Sequence, residues 1–211
     1  MAAAHDAVLD GVINDMRHAA KHADTIIRGL LDFSHSDTLE MKPQDLNALI
    51  EKALLLVRHQ LASNQINLQT NLGAGLPPLA LDGVKIEQVF VNLFTNAIDA
   101  MPKGGTLTLK TSTQRLAETH RDPGSREAGH FYAGDNVVLA EVEDAGSGIP
   151  PEVLRKIFDP FFTTKVTGKG TGLGLAIVKR ILDLHGGSIE IHNRAEGGAH
   201  CRLMFKTRNA N

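Results

Sequence analysis

At the start of the chain apolar residues recur at three- and four-residue steps. Leu9, Val12, Ile13, Met16, Ala20, Ala23, Ile27, Leu30 and Phe33 form a heptad-like seam without a proline. The pattern predicts one long helix whose stripe needs a partner helix. "SHSDTLEMKPQD" breaks it, since Pro43 disfavours helix just before itself. Asp45 is placed as the N-cap of a second helix carrying Leu46, Leu49, Ile50, Ala53, Leu54 and Val57. "INLQTNL" alternates as a strand, and "GAGLPPLALD" reads as a loop. Residues 84–101 form a strongly amphipathic helix, which "MPKGG" stops. "TLTLKTS" and "VVLAEVED" read as strands, joined by a polar hairpin loop over 114–136. Residues 150–159 start with two prolines and predict a short helix. A helix over 173–184 ends at Gly186 and Gly187, and "SIEIHN" and "AHCRLMFK" close the chain as strands.

Helices and strands are mixed without strict alternation. That order predicts a two-layer α/β sandwich, a mixed sheet with helices on one face. Residues 1–41 read as a separate helical element and linker, and 42–211 as the main domain.

Composition narrows the function. The chain has 211 residues, 42% hydrophobic and 22% charged, with a formal net charge of -2 and no basic run. Nucleic-acid binding as the main task is disfavoured. Cys201 is the only cysteine, so no disulfide forms within the chain and a cytoplasmic setting is expected. No stretch has the roughly 20 apolar residues of a membrane span, and the first ten residues lack the pattern of a signal peptide. Membrane contact by this segment is not expected, although the full protein could be membrane-anchored.

Three local patterns carry candidate chemistry. In "EQVFVNLFTNAIDAM", Asn92 and Asn96 lie four apart on one helix face. An asparagine carbonyl can join a magnesium sphere; the alternative is a pair of surface asparagines. In "EVEDAGSGIP", a strand ends in Asp144, followed by Gly146 and Gly148. A carboxylate there can accept from an exocyclic amine such as adenine's; an ordinary Asp-Gly turn is the alternative. In "GKGTGLGLAIVKR", glycines crowd a helix start, although each costs about 1 kcal/mol against alanine within a helix. The spacing is neither a P-loop nor a dinucleotide fingerprint. Free backbone N–H groups at a helix start still suit phosphates; a flexible hinge is the alternative.

The ordered set resembles the catalytic ATP-binding domain of sensor histidine kinases in the GHKL superfamily. The matching boxes are Asn92–Asn96 within "NLFTNAIDAMP", 144–148 "DAGSG", 158–162 "FDPFF" and 170–175 "GTGLGL". The resemblance implies the Bergerat fold, with ATP held between helices and a mobile lid. It implies that Asn96 holds Mg²⁺, that Asn92 lines the phosphate end, and that Asp144 accepts from adenine flanked by Gly146, Gly148 and Ile149. Gly170, Thr171, Gly172, Leu173, Gly174 and Leu175 would wrap the phosphates. Residues 158–169, from Phe158, would form the lid, with Lys165 a phosphate partner, and Asp99 joins the nucleotide-binding set. Asn92 stands where ATPases of the superfamily carry a general-base glutamate, so it is the catalytic candidate and favours phosphoryl transfer over hydrolysis. A GHKL-type ATPase and a catalytically silent scaffold are the alternatives.

"TIIRGLLDFSHSDTLEMKPQDLNALIEKAL" resembles the second helix of the kinase dimerisation hairpin with its linker. The resemblance implies a homodimer and a response regulator receiver domain as partner. Its phosphoacceptor motif is broken here: His5-Asp6 begins it, but Asp10 and Gly11 stand where proline and leucine belong. The acceptor-bearing first helix is therefore expected either to be truncated away or to lie upstream, and the phosphoacceptor histidine stays unassigned. His18, His22 and His35 read as solvated. At the far end, "GGAHC" departs from the family's small-Thr-Phe pattern, so His200 faces either nucleotide or solvent, and Cys201 reads as a small buried strand residue.

Overall fold

The computed structural model describes residues 38–119, 131–165 and 170–207, and also Ile13, Met16, Arg17 and Ala20. Those four positions are helical and exposed. The rest of the expected helix over 9–33, with His5, His18, His22 and His35, lies outside the described residues.

Two aspartates start the first two helices. Asp45 accepts from the backbone N–H groups of Asn47 and Ala48 and opens α1, Leu46–Ser63. Asp82 accepts from the Lys85 N–H and opens α2, Gly83–Ala100. Each satisfies donors that a helix start leaves without partners. The third helix, α3, Gly174–Leu184, follows Leu173 with no side-chain cap. Its C-terminus turns at Gly186, whose φ is +64°.

The strands are β1 (Lys42–Gln44), β2 (Ile66–Leu72), β3 (Leu79–Leu81), β4 (Gly105–Arg115), β5 (Asn136–Asp144), β6 (Ser188–Asn193) and β7 (Ala199–Lys206). The main sheet runs β2-β4-β5-β7-β6. β2 and β4 are parallel, and the other neighbours are antiparallel. The sandwich expected from the sequence is thus present, with α2 in contact with α1, α3 and β5.

Period-two alternation gives the sheet two different faces. Val138, Ala140 and Val142 of β5 and Cys201, Leu203 and Phe205 of β7 point to the helices and join the main core. Glu141 and Glu143 face the other way, opposite Arg202 and His200. A smaller cluster of Phe131, Val137, Leu139 and Met204 seals part of this outer face.

Three sequence expectations change. "GAGLPPLALD" is not all loop: β3 pairs antiparallel with β1, Lys42 opposite Leu81. Pro77 and Pro78 favour extended backbone before it, and alternation buries Leu79 and Leu81. The hairpin loop is shorter than 114–136, because pairing continues to Arg115 opposite Asn136. Residues 150–159 form turns, not an α-helix. The N–H groups of Val153, Lys156 and Asp159 each donate to the carbonyl three residues back. Prolines at 150, 151 and 160 remove donors from both ends, and this spacing swings Val153 and Ile157 toward the cavity described next.

Candidate functional site

α2 crosses the inner face of the sheet with Asn92, Asn96 and Asp99 turned to one side. Beside them opens a cavity of about 510 Å³. Its floor is the inner face of the sheet, through Val142, Asp144, Ile191, Ala199 and Cys201. The loop after β5 closes one side with Ser147, Gly148 and Ile149. The segment before α3 closes the other with Phe162, Thr163, Thr164, Lys165 and Gly170. Positions 166–169 of the expected lid lie outside the described residues.

Asp144 is buried, with 7% of its surface exposed. Its Oδ1 accepts from the Gly146 N–H at 2.8 Å and the Ala199 N–H at 3.2 Å. Burial pushes its carboxyl above the usual range, against the pull of those two N–H groups and of Arg194. Among the described residues Oδ2 takes no hydrogen bond. The carboxylate is thus held by one oxygen, and the other can accept from a ligand's amino group.

At the opposite end, the uncapped start of α3 meets α2. A Cβ on Gly174 would lie 3.6 Å from Asn92 Oδ1 and 4.0 Å from Asn96 Nδ2. A small residue here brings the helix start onto both asparagines. Gly172 has a separate reason to be glycine: its φ is +66°, and a Cβ would overlap the Phe161 backbone. The backbone at Gly172 therefore packs directly against the backbone at Phe161. Lys165 Nζ donates to Asn96 Oδ1 at 3.0 Å and to Asp99 Oδ2 at 2.6 Å. The Asn96 carbonyl oxygen thus already holds a cation, as a magnesium ligand must, and its oxygen chemistry fits Mg²⁺.

Most of the site residues expected from the sequence come together here. Asn92, Asn96, Asp99, Asp144, Gly148, Ile149, Lys165, Gly170, Thr171, Gly172, Gly174 and Leu175 line the cavity. Gly146, Phe158 and Leu173 do not. Gly146 packs against Ala100, where a Cβ would meet the Ala100 carbonyl. Phe158 packs on the main core, and Leu173 is buried within it. Their apolar side chains and close backbone contacts support the wall from behind. His200 faces neither nucleotide nor open solvent. It sits on the outer face, with Nε2 3.1 Å from Glu141 Oε1 and Nδ1 2.9 Å from His192 Nε2. Cys201 is buried as expected, and burial raises its thiol far above the usual range.

Two residues were not legible in the sequence. Asn193 clamps the loop after β5: its Oδ1 accepts from the Ile149 N–H at 2.8 Å, and its Nδ2 donates to the Ile149 carbonyl at 2.6 Å. Arg194 donates to the Asp144 carbonyl at 3.0 Å. These partners lie 44 and 50 residues away, so no periodic spacing marks them.

Comparison with known proteins shows the family and the fold. The family described as histidine kinase-, DNA gyrase B-, and HSP90-like ATPase matches residues 81–209. The sensor kinase CckA of Brucella abortus is 42% identical over 92% of this chain and 20% of its own length. The sensor protein FixL of Bradyrhizobium diazoefficiens is 32% identical over 96% of this chain and 36% of its own. The chain therefore spans a minor part of these relatives. Among solved structures, full-length ShkA in complex with AMPPNP shares the fold, with a TM-score of 0.72 at 22% identity over 92% of this chain and 38% of that one. Histidine kinase ThkA in complex with the response regulator protein TrrA gives a TM-score of 0.70 at 27% identity, over 95% and 52%.

Proposed function

The chain belongs to the histidine kinase-, DNA gyrase B- and HSP90-like ATPase family, and from that premise we propose that it is the ATP-binding catalytic part of a sensor histidine kinase. The adenine amino group would donate to Asp144. The phosphates would reach the uncapped start of α3, between Asn92, Asn96 and Lys165. Mg²⁺, held through Asn96, would supply charge neutralisation on the phosphates. The γ-phosphoryl group would pass to an imidazole nitrogen of a histidine on a dimerisation helix. A nitrogen–phosphorus bond forms, the bond to the β–γ bridging oxygen breaks, and ADP leaves. A response regulator aspartate would then take the group. The full protein would act as a homodimer, with residues 1–41 contributing part of the dimerisation hairpin.

One observation favours transfer over hydrolysis. Among the described residues, the only carboxylates lining the cavity are Asp99 and Asp144. Asp99 pairs with Lys165, and Asp144 sits on the sheet floor beside the loop after β5. Asn92 cannot take a proton from water. A phosphoryl group held in this cavity would have no free carboxylate base beside it, among the described residues, to activate water.

The test combines binding with transfer. AMPPNP should bind by calorimetry. With γ-labelled ATP, an added dimerisation hairpin carrying its histidine should acquire an acid-labile phosphate, while the chain alone turns over little ATP. Sustained turnover lost in Asn92→Ala would move the chain to the hydrolysing branch of the family. Absence of nucleotide binding would leave a silent scaffold.

A further inference from the structure

Asn96 and Asp99 lie three residues apart on α2, which places them on one helix face. Their side-chain oxygens converge on a single ammonium nitrogen, Lys165 Nζ, at 3.0 and 2.6 Å. The arrangement is more than a surface ion pair, which by itself stabilises little. A neutral carbonyl and a carboxylate share one cation, and all three residues line the cavity.

A carboxylate at that place is otherwise unfavourable. Asp99 would add negative charge beside a polyphosphate unless a cation stood between them. Carboxylate and carbonyl oxygens are the donors a hard divalent cation prefers. From this geometry, and resting on the ATP reading above, we infer that Asp99 is a second oxygen ligand of the divalent cation. Lys165 competes with that cation for the same two oxygens. When the metal takes them, the Lys165 ammonium is displaced and becomes available to the phosphates. Binding of the metal and release of the Lys165 side chain are thereby one exchange of cations.

The inference is tested by the ratio of AMPPNP affinities in excess Mg²⁺ and in excess EDTA, measured by calorimetry. Asp99→Asn should lower this ratio about tenfold, the low end of what loss of a metal-site partner costs. Its affinity in EDTA should equal or exceed that of the unaltered chain, because a repelling charge is gone. Lys165→Met should move the ratio the other way, since the metal no longer displaces an ammonium. Asp99 is a half-exposed helix residue, and equal melting temperatures would establish that both variants fold. An unchanged ratio in Asp99→Asn would overturn the inference and leave Asp99 as the ion-pair partner of Lys165 alone. An unchanged or lower ratio in Lys165→Met would overturn the competition. If the unaltered chain binds no AMPPNP in either buffer, the ATP reading falls, and this inference falls with it.

Discussion

Glu143 and Asp144 are neighbours on β5, yet the sheet turns them to opposite faces and gives them opposite chemistry. On the inner face Asp144 is buried, held by two backbone N–H groups, and burial raises its carboxyl. On the outer face burial also pushes Glu143 upward, but the Lys110 ammonium at 2.6 Å, with His200 and Arg194, outweighs it and holds the carboxyl below its usual range. The outer face continues this pattern: Arg202 and His200 both meet Glu141. One face thus keeps a carboxylate short of cations and ready for a ligand. The other satisfies its carboxylates with neighbouring side chains. What distinguishes a site from a surface here is where the sheet's pleat points each acid.

The largest effect should come from the backbone beneath the inner face. Gly198 has a φ of +86°, and a Cβ would overlap the Asp144 carbonyl. Gly198→Ala should therefore cost about 3 kcal/mol in denaturant unfolding. Arg202→Ala, on the half-exposed outer network, should cost less than about 1 kcal/mol. Comparable losses in the two variants would break the contrast.

Nucleotide affinity gives the next comparison. In Asp144→Asn the Oδ1 atom can still accept the two N–H groups, but in the proposed ATP complex the amide nitrogen would face the adenine amine, donor against donor. Calorimetry with AMPPNP should show a loss of about tenfold to hundredfold, the scale of a hydrogen bond to a buried charge. Glu143→Gln should stay within about twofold. Equal losses would mean that the outer face takes part in binding.

The smallest effect is the response to acid, in which the two faces differ in sign. His200 has its pKa lowered, first by burial and then by His192 and Arg202, although Glu141 and Glu143 pull it up. Folding therefore disfavours its proton. Its contribution to stability is complete above the unfolded value of about 6.5 and is lost as pH falls toward the lowered folded value. Asp144, whose carboxyl is raised, binds its proton more tightly when folded and gains stability as pH falls through the range just above 3.8. Urea midpoints should fall between neutral and mildly acid pH, and His200→Gln should flatten that fall. An unchanged slope in this variant would remove His200 from the account.

Much of this was legible in the sequence because it is local. Three-to-four and two-residue periodicities place α1, α2, α3 and the strands of the main sheet. Asp45 starts its helix through side-chain bonds to residues two and three positions on. Asn92, Asn96, Asp144 and the glycines before α3 stand at fixed spacings that survive translation into geometry. The segment 150–159 failed because ten residues that open on two prolines and run into a third at 160 can satisfy the same apolar spacing by turns as by helix.

Other features belong to the tertiary structure alone. Asn193 holds Ile149, Arg194 holds the Asp144 carbonyl, and Lys165 reaches Asp99 across 66 residues. Bonds between segments so distant leave no period in the chain. Sequence placed two acidic residues at the end of a strand and a histidine at 200. Only packing decided which acid lost its water and which gained a lysine, and that His200 turned away from the cavity, because burial and pairing depend on the surfaces brought against a side chain.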